Sequence, residues 1–138
     1  MTAQPLYTIE ILRLAASLTE PRALERGDGR AEARSPTCGS RIATVVQLED
    51  GRVAALSQEV HACAFGQAAA ALVEQHAVGR SADEIEAAAG QLSAWLGGEA
   101  TVPPWEMSAL APALSRTGRH GAIMLPLRAL AGAVEAAS

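Results

Sequence analysis

Val60-His61-Ala62-Cys63-Ala64-Phe65-Gly66-Gln67, running on through alanines to Val73, is where a strand hands over to a helix. Upstream, residues 53–60 alternate apolar and polar, the two-residue period of a strand with one buried face. Downstream, 64–77 reads as a helix small-sided enough to pack close to a sheet, with Gly79 as its stop. Residues 40–48 alternate as well: Ile42, Thr44, Val46 and Leu48 face one way, Arg41, Ala43, Val45 and Gln47 the other. Between the two runs lies Glu49-Asp50-Gly51-Arg52, and Asp-Gly is a strong signal for a tight hairpin turn. The hairpin gives meaning to the chain's two cysteines. Cys38 precedes the first strand and Cys63 follows the second. A hairpin brings its open ends together, so both thiols are expected at one end of the sheet. Cys63 opens a helix, among unpaired backbone N–H groups that favour the thiolate, the form that binds metal or attacks sulfur.

Residues 7–18 read as a first helix capped by Thr8, with Ile9, Leu12, Ala16, Ile11, Leu14 and Leu18 giving a broad apolar face. Thr19-Glu20-Pro21 ends it. Residues 21–35 read as a loop with a short strand over 31–34. Ser81-Ala82-Asp83-Glu84 is a capping box opening a helix that carries Ile85, Ala88, Leu92, Trp95 and Leu96 and stops at Gly97-Gly98. A loop over 99–104 leads to a short helix over 105–114, interrupted by Pro112. His120 starts the last segment. Pro126 is expected to restrict its helix to a start near Leu125, leaving 119–124 as an irregular lead-in. The element order predicts an α+β fold: a small antiparallel β-sheet with helices packed on one face, formed as one domain over 1–138.

Composition sets limits on function. The 138 residues carry a formal net charge of -4, and no basic stripe is present, which argues against a nucleic-acid partner. Only 3% of residues are aromatic, so the core must come from Leu, Ile, Val and close-packed Ala. No run is long and apolar enough for a membrane span, and the start, Met-Thr-Ala-Gln-Pro, lacks the features of a secretory signal. A cytoplasmic protein is expected. Its cysteines are then metal-binding, reactive or buried rather than disulfide-bonded. No serine triad, phosphate loop or paired catalytic carboxylates stand out, so no enzyme is expected.

Pro36-Thr37-Cys38-Gly39-Ser40, the hairpin, Ala62-Cys63-Ala64 opening a helix, Val78-Gly79-Arg80-Ser81 and Arg119-His120 before Leu125-Pro126 occur in an order that resembles the NifU/IscU/SufU-type iron–sulfur cluster scaffold proteins. The resemblance runs from about Leu6 to Val134. It implies a site that receives sulfur from a cysteine desulfurase, collects iron and passes a nascent [2Fe–2S] cluster to an apo acceptor protein; some members hold Zn2+ there instead. The first ligand, in a Pro-x-Cys-Gly-Asp context, matches Cys38, with Ser40 in place of the aspartate. The second matches Cys63, with Ala62 in place of a glycine. The third cysteine has no match and falls at Gly121 or Ala122. His120 occupies the place of a histidine that often precedes it.

The expected ligand set is therefore Cys38, Cys63 and His120. Two thiolates and an imidazole suit tetrahedral zinc or iron–sulfur chemistry, with a fourth position open for exchange. His61 ends a strand and is expected to be exposed. His76, late in its helix, suits the helix dipole. Trp95 and Trp105 read as core or loop anchors. Two further functional readings share these residues: a degenerate module, holding zinc or nothing, that docks on a desulfurase, and a sulfur acceptor carrying persulfide on Cys63.

Overall fold

The computed structural model describes residues 7–36 and 39–138. In chain order the elements are α1 (Ile9–Ser17), β1 (Gly29–Arg34), β2 (Arg41–Glu49), β3 (Arg52–His61), α2 (Ala64–His76), α3 (Ala82–Leu96) and α4 (His120–Ala137). Two 3-10 helices, Met107–Ala113 and Thr117–Arg119, precede α4. The strands form one antiparallel sheet in the order β1-β2-β3. This is the expected α+β architecture, and the strand expected at 31–34 begins two residues earlier, at Gly29.

The β2–β3 turn is built as its sequence dictates. Asp50 (φ 52) and Gly51 (φ 75) both occupy the left-handed region, the two-residue geometry that matches strand twist. One irregularity, between Gln47 and Leu48, breaks the expected alternation. It buries Gln47, whose Oε1 accepts from the Arg26 backbone N–H (3.2 Å) and ties the 18–28 segment to the sheet.

Ile42 and Val46 face the helices and are fully buried. α4 lies along β1 and β2, and α2 and α3 flank α4. α4 runs antiparallel to β1. A Cβ on Gly29 would overlap the Ala133 carbonyl, and one on Gly132 would come within 2.9 Å of the Ala31 Cβ. Leu125 and Ala129 pack on Ile42. Further back, Ala122 meets the first turn of α2: a Cβ on Gly66 would lie 3.3 Å from the Ala122 carbonyl oxygen and 2.6 Å from the Ala62 Cβ. The start of α4, the start of α2 and the β1–β2 turn thus share one end of the sheet. α1 packs on α2, where Tyr7 tilts against Phe65 at 5.1 Å.

Capping follows the sequence. Thr8 Oγ1 accepts from Ile11 N–H (3.1 Å), and Ser81 with Glu84 completes the capping box of α3. The expectation for Pro126 is corrected. α4 begins at His120 and Pro126 lies inside it, fully packed. Proline there removes the N–H that would have bonded the Ala122 carbonyl, the same carbonyl that faces Gly66 across the α2–α4 crossing. The crossing encloses the carbonyl that the proline leaves free.

Candidate metal and cluster site

Cys63 is the N-cap residue of α2, extended at φ -67 and ψ 173. Its side chain makes no capping hydrogen bond, and it is a free, half-buried thiol packed at the margin of the core. An N-cap thiol that caps nothing is unusual where Ser, Thr, Asp or Asn is preferred. Two hydrogen bonds from one residue fix it in place. The Gln67 backbone N–H donates to the Cys63 carbonyl (2.9 Å), and Gln67 Nε2 donates to the Ala62 carbonyl (2.9 Å). Gln67 therefore holds the strand-to-helix corner from both sides of the cysteine, a role that sequence periodicity did not single out. Its position four residues past an N-cap was the available signal.

Cys38 lies outside the described residues. The chain on either side of it is pinned. Ser35 N–H donates to the Ser40 carbonyl (2.9 Å), Gly39 N–H donates to the Ser35 carbonyl (3.2 Å), and Gly39 takes φ 72. Ser40, expected from the resemblance to stand in place of an aspartate, is 5% exposed. β2 begins one residue later, and its register sets Arg41 opposite His61, two residues before Cys63.

His120 is the first residue of α4. Its Nε2 lies 2.9 Å from the Ala113 carbonyl, so that nitrogen carries the proton and Nδ1 keeps the lone pair available to a metal. The ring lines a cleft of about 630 Å3 with Trp95, Leu96, Ala100, Leu114 and Thr117, a set that does not include Cys63. His61 is half-exposed and pairs with Glu59 (3.2 Å), as expected of a strand end. His76 bonds the Leu72 carbonyl (2.8 Å) and Glu106 (3.1 Å), and it stacks on Trp105 with Arg80 on that indole. Among the described residues, no three or more His, Cys, Asp or Glu side chains come together as a metal site. The donor chemistry still suits a thiophilic metal, because among the described residues the Cys63 sulfur makes no capping bond and His120 engages only its Nε2.

The core holds one more feature that the alternation hid. Thr44 and Gln58 are opposite each other in the β2–β3 register and buried. Gln58 Nε2 donates to the Ala70 carbonyl (2.9 Å), whereas Gln58 Oε1 and Thr44 Oγ1 have no partner among the described residues.

Comparison of the fold with solved structures is decisive. The N-terminal part of a nitrogen-fixing NifU-like protein from Brucella abortus superposes with TM-score 0.88 at 27% identity, covering 96% of this chain and 94% of that one. In structure, the chain is of the NifU/IscU/SufU type. A putative iron–sulfur cluster assembly scaffold for the SUF system from Fervidobacterium islandicum matches with TM-score 0.76 at 16% identity, covering 94% and 96%. At that identity it supports the fold alone. No protein-family model and no curated protein sequence matches the chain. Ser40 and the pair Gly121–Ala122 are the positions where the resemblance in sequence implies an aspartate and a third cysteine. Ala122 is fully buried.

Proposed function

We propose that this protein is an iron–sulfur cluster assembly scaffold or carrier, acting as a single domain and not as an enzyme. Its substrates are sulfur and iron, and its cargo is a nascent [2Fe–2S] cluster. In this reading Cys38, Cys63 and His120 supply two thiolates and one imidazole, and a cysteine desulfurase and apo acceptor proteins are the partners. The setting is cytoplasmic; no helix among the described residues is long and apolar enough to cross a membrane. The observation that supports the reading is Cys63: a half-buried thiol that makes no capping bond, its corner held by Gln67, at the end of the sheet where β2 and α4 begin.

The chain's own residues would divide the work. Cys63 thiolate takes sulfur by attack on the outer sulfur of a donor persulfide; the donor's S–S bond breaks and its cysteine leaves as thiolate. A two-electron reductant, a thiol or a redox-protein partner, then cleaves the new S–S bond, returning Cys63 to thiolate and releasing the sulfur as sulfide, while His120 Nδ1 and the Cys38 thiolate hold iron beside it. The open fourth position lets the cargo leave.

Anaerobic reconstitution with iron and sulfide, followed by visible absorption, tests the reading. The wild type should gain a cluster signal that a Cys38→Ala/Cys63→Ala double variant lacks. Equal spectra would remove the scaffold role.

A second reading is favoured by Ser40 and by the absence of a third cysteine. In it the protein is a module, zinc-bound or metal-free, that docks on the desulfurase, or a persulfide acceptor. Stable zinc that iron does not displace would select the module, and sulfur transferred onto Cys63 would select the acceptor.

A further inference from the structure

The sheet has two outer edges, and the hydrogen-bond alternation identifies the backbone groups that each presents. Ser35 N–H bonds the Ser40 carbonyl across the β1–β2 turn, so Ser35 and Ser40 form a hydrogen-bonded pair. Such pairs alternate along an antiparallel ladder. From Ser35–Ser40 onward, Ile42 and Thr44 therefore turn their backbone groups to β1, and Arg41, Ala43 and Val45 turn theirs to β3. Their β3 partners are His61, Glu59 and Ser57. The alternate residues, Gln58 and Val60, point both N–H and C=O outward from the free edge of β3. None of these four groups meets a backbone partner among the described residues.

That edge is not flush with its surroundings. It borders a groove of about 520 Å3 whose opposite wall is the end of α1 and the following turn, with Ala15, Leu18 and Pro21. Gln58 and Val60 line the near wall, and Gln67 closes the end toward Cys63. An unpaired strand edge beside an open groove is the geometry that takes an extended peptide as an added strand. The direction matters as much as the opening. β3 runs along the groove toward Ala62 and Cys63, and at about 3.3 Å per residue Cys63 lies roughly 10 Å beyond Val60. A segment paired with Gln58 and Val60 therefore brings a residue two or three positions further on alongside the Cys63 thiol.

We propose that the outer edge of β3 at Gln58 and Val60 docks an extended, cysteine-bearing segment of the sulfur donor by strand addition, delivering its persulfide to Cys63. The inference rests on the scaffold reading above and specifies how the donor is held. The transfer needs no outside oxidant: the donor's S–S bond breaks, the new S–S bond forms on Cys63, and the electron pair leaves on the donor's thiolate.

The other edge of the sheet supplies the control. By the same alternation the backbone groups of Arg30, Glu32 and Arg34 point outward from β1, and the alternating charges carried by that edge strand blunt strand addition. Amide hydrogen exchange is measured by NMR on the isotopically labelled chain, alone and with excess cysteine desulfurase from its own host. The amides of Gln58 and Val60 should slow by about tenfold or more on binding, and those of Arg30, Glu32 and Arg34 should not. Val60→Pro removes an outward N–H without touching the ladder, a place where an edge strand tolerates proline. It should weaken desulfurase binding about tenfold, while Arg34→Pro on the control edge should not. Should either variant fail to fold by circular dichroism, the wild-type exchange experiment decides alone. Binding of desulfurase with unchanged exchange at Gln58 and Val60 overturns strand addition and leaves the scaffold reading standing. No binding at all overturns both. Slow exchange at these amides without desulfurase, growing with protein concentration, assigns the edge to a second copy of the chain and overturns the proposal.

Discussion

Gly66→Ala puts the crossing that fixes Cys63 under direct test. Glycine is a poor helix former, and replacing it by alanine in a helix ordinarily gains up to about 1 kcal/mol. Here the added methyl meets the Ala62 Cβ at 2.6 Å, the Ala122 carbonyl oxygen at 3.3 Å and the Ala122 Cβ at 3.4 Å. The nearest of these atoms is fixed to backbone and cannot swing away as the end of a long side chain could. Overpacking of this kind costs about 1–3 kcal/mol, and with a contact this short the upper half of that range applies. Gly66→Ala should therefore destabilise by about 1–2 kcal/mol net, a fall in Tm of roughly 3–8 °C. Ala62→Gly removes the nearest atom, so the Ala62→Gly/Gly66→Ala pair should show a favourable coupling of about 1–2 kcal/mol in a double-mutant cycle. Urea unfolding followed by far-ultraviolet circular dichroism measures all four corners. Full stabilisation by Gly66→Ala alone, with no coupling to Ala62, would refute the close packing of Gly66 against Ala62 and Ala122 and with it the placement of Cys63.

Four further outcomes are expected. Thr44→Val replaces a buried, unpartnered hydroxyl by a methyl and should stabilise by about 1 kcal/mol, read as a higher urea midpoint. Ser81→Ala removes the cap of α3 and should cost about 1 kcal/mol in the same assay. The partner of that cap adds a pH signature: the Arg52 hydrogen bond (2.6 Å), then the Ser81 backbone N–H, hold the Glu84 carboxyl down to about 2 from an ordinary 4.5. A depressed carboxyl stabilises above its unfolded value, so the stability gap between wild type and Glu84→Gln should shrink as pH falls from 4.5 toward about 2. Gly121→Cys adds a thiol in the first turn of α4 and should raise the iron bound per chain after reconstitution, whereas Ala122→Cys, at a fully buried position, should not.

The hairpin, the helix opened by Cys63 and both N-terminal caps were legible because each rests on a local rule: alternation, an Asp-Gly turn, and oxygen side chains before apolar runs. Pro126 misled because its cost was judged within one helix. The carbonyl it leaves free faces Gly66 in α2, and a contact across elements leaves no mark in local sequence. Leu48 misled for a related reason, since a single register shift at Gln47 reverses which side chain is buried. At the site, Cys63 stands where its spacing implied, at the α2 N-cap. The His120 ring is committed through Nε2 to Ala113, a bond made by a 3-10 segment whose position periodicity does not give. Gln67 escaped notice because amide side chains that grip a neighbouring carbonyl carry no periodic signature.

Zinc K-edge absorption on the zinc-loaded protein counts the atoms around the metal, and so reads whether Cys38, Cys63 and His120 form one site. Two sulfur scatterers at about 2.3 Å are expected, with a nitrogen shell at about 2.0 Å that diminishes in His120→Ala. A shell of nitrogen and oxygen only, or zinc that binds equally well to the Cys38→Ala/Cys63→Ala variant, would contradict it.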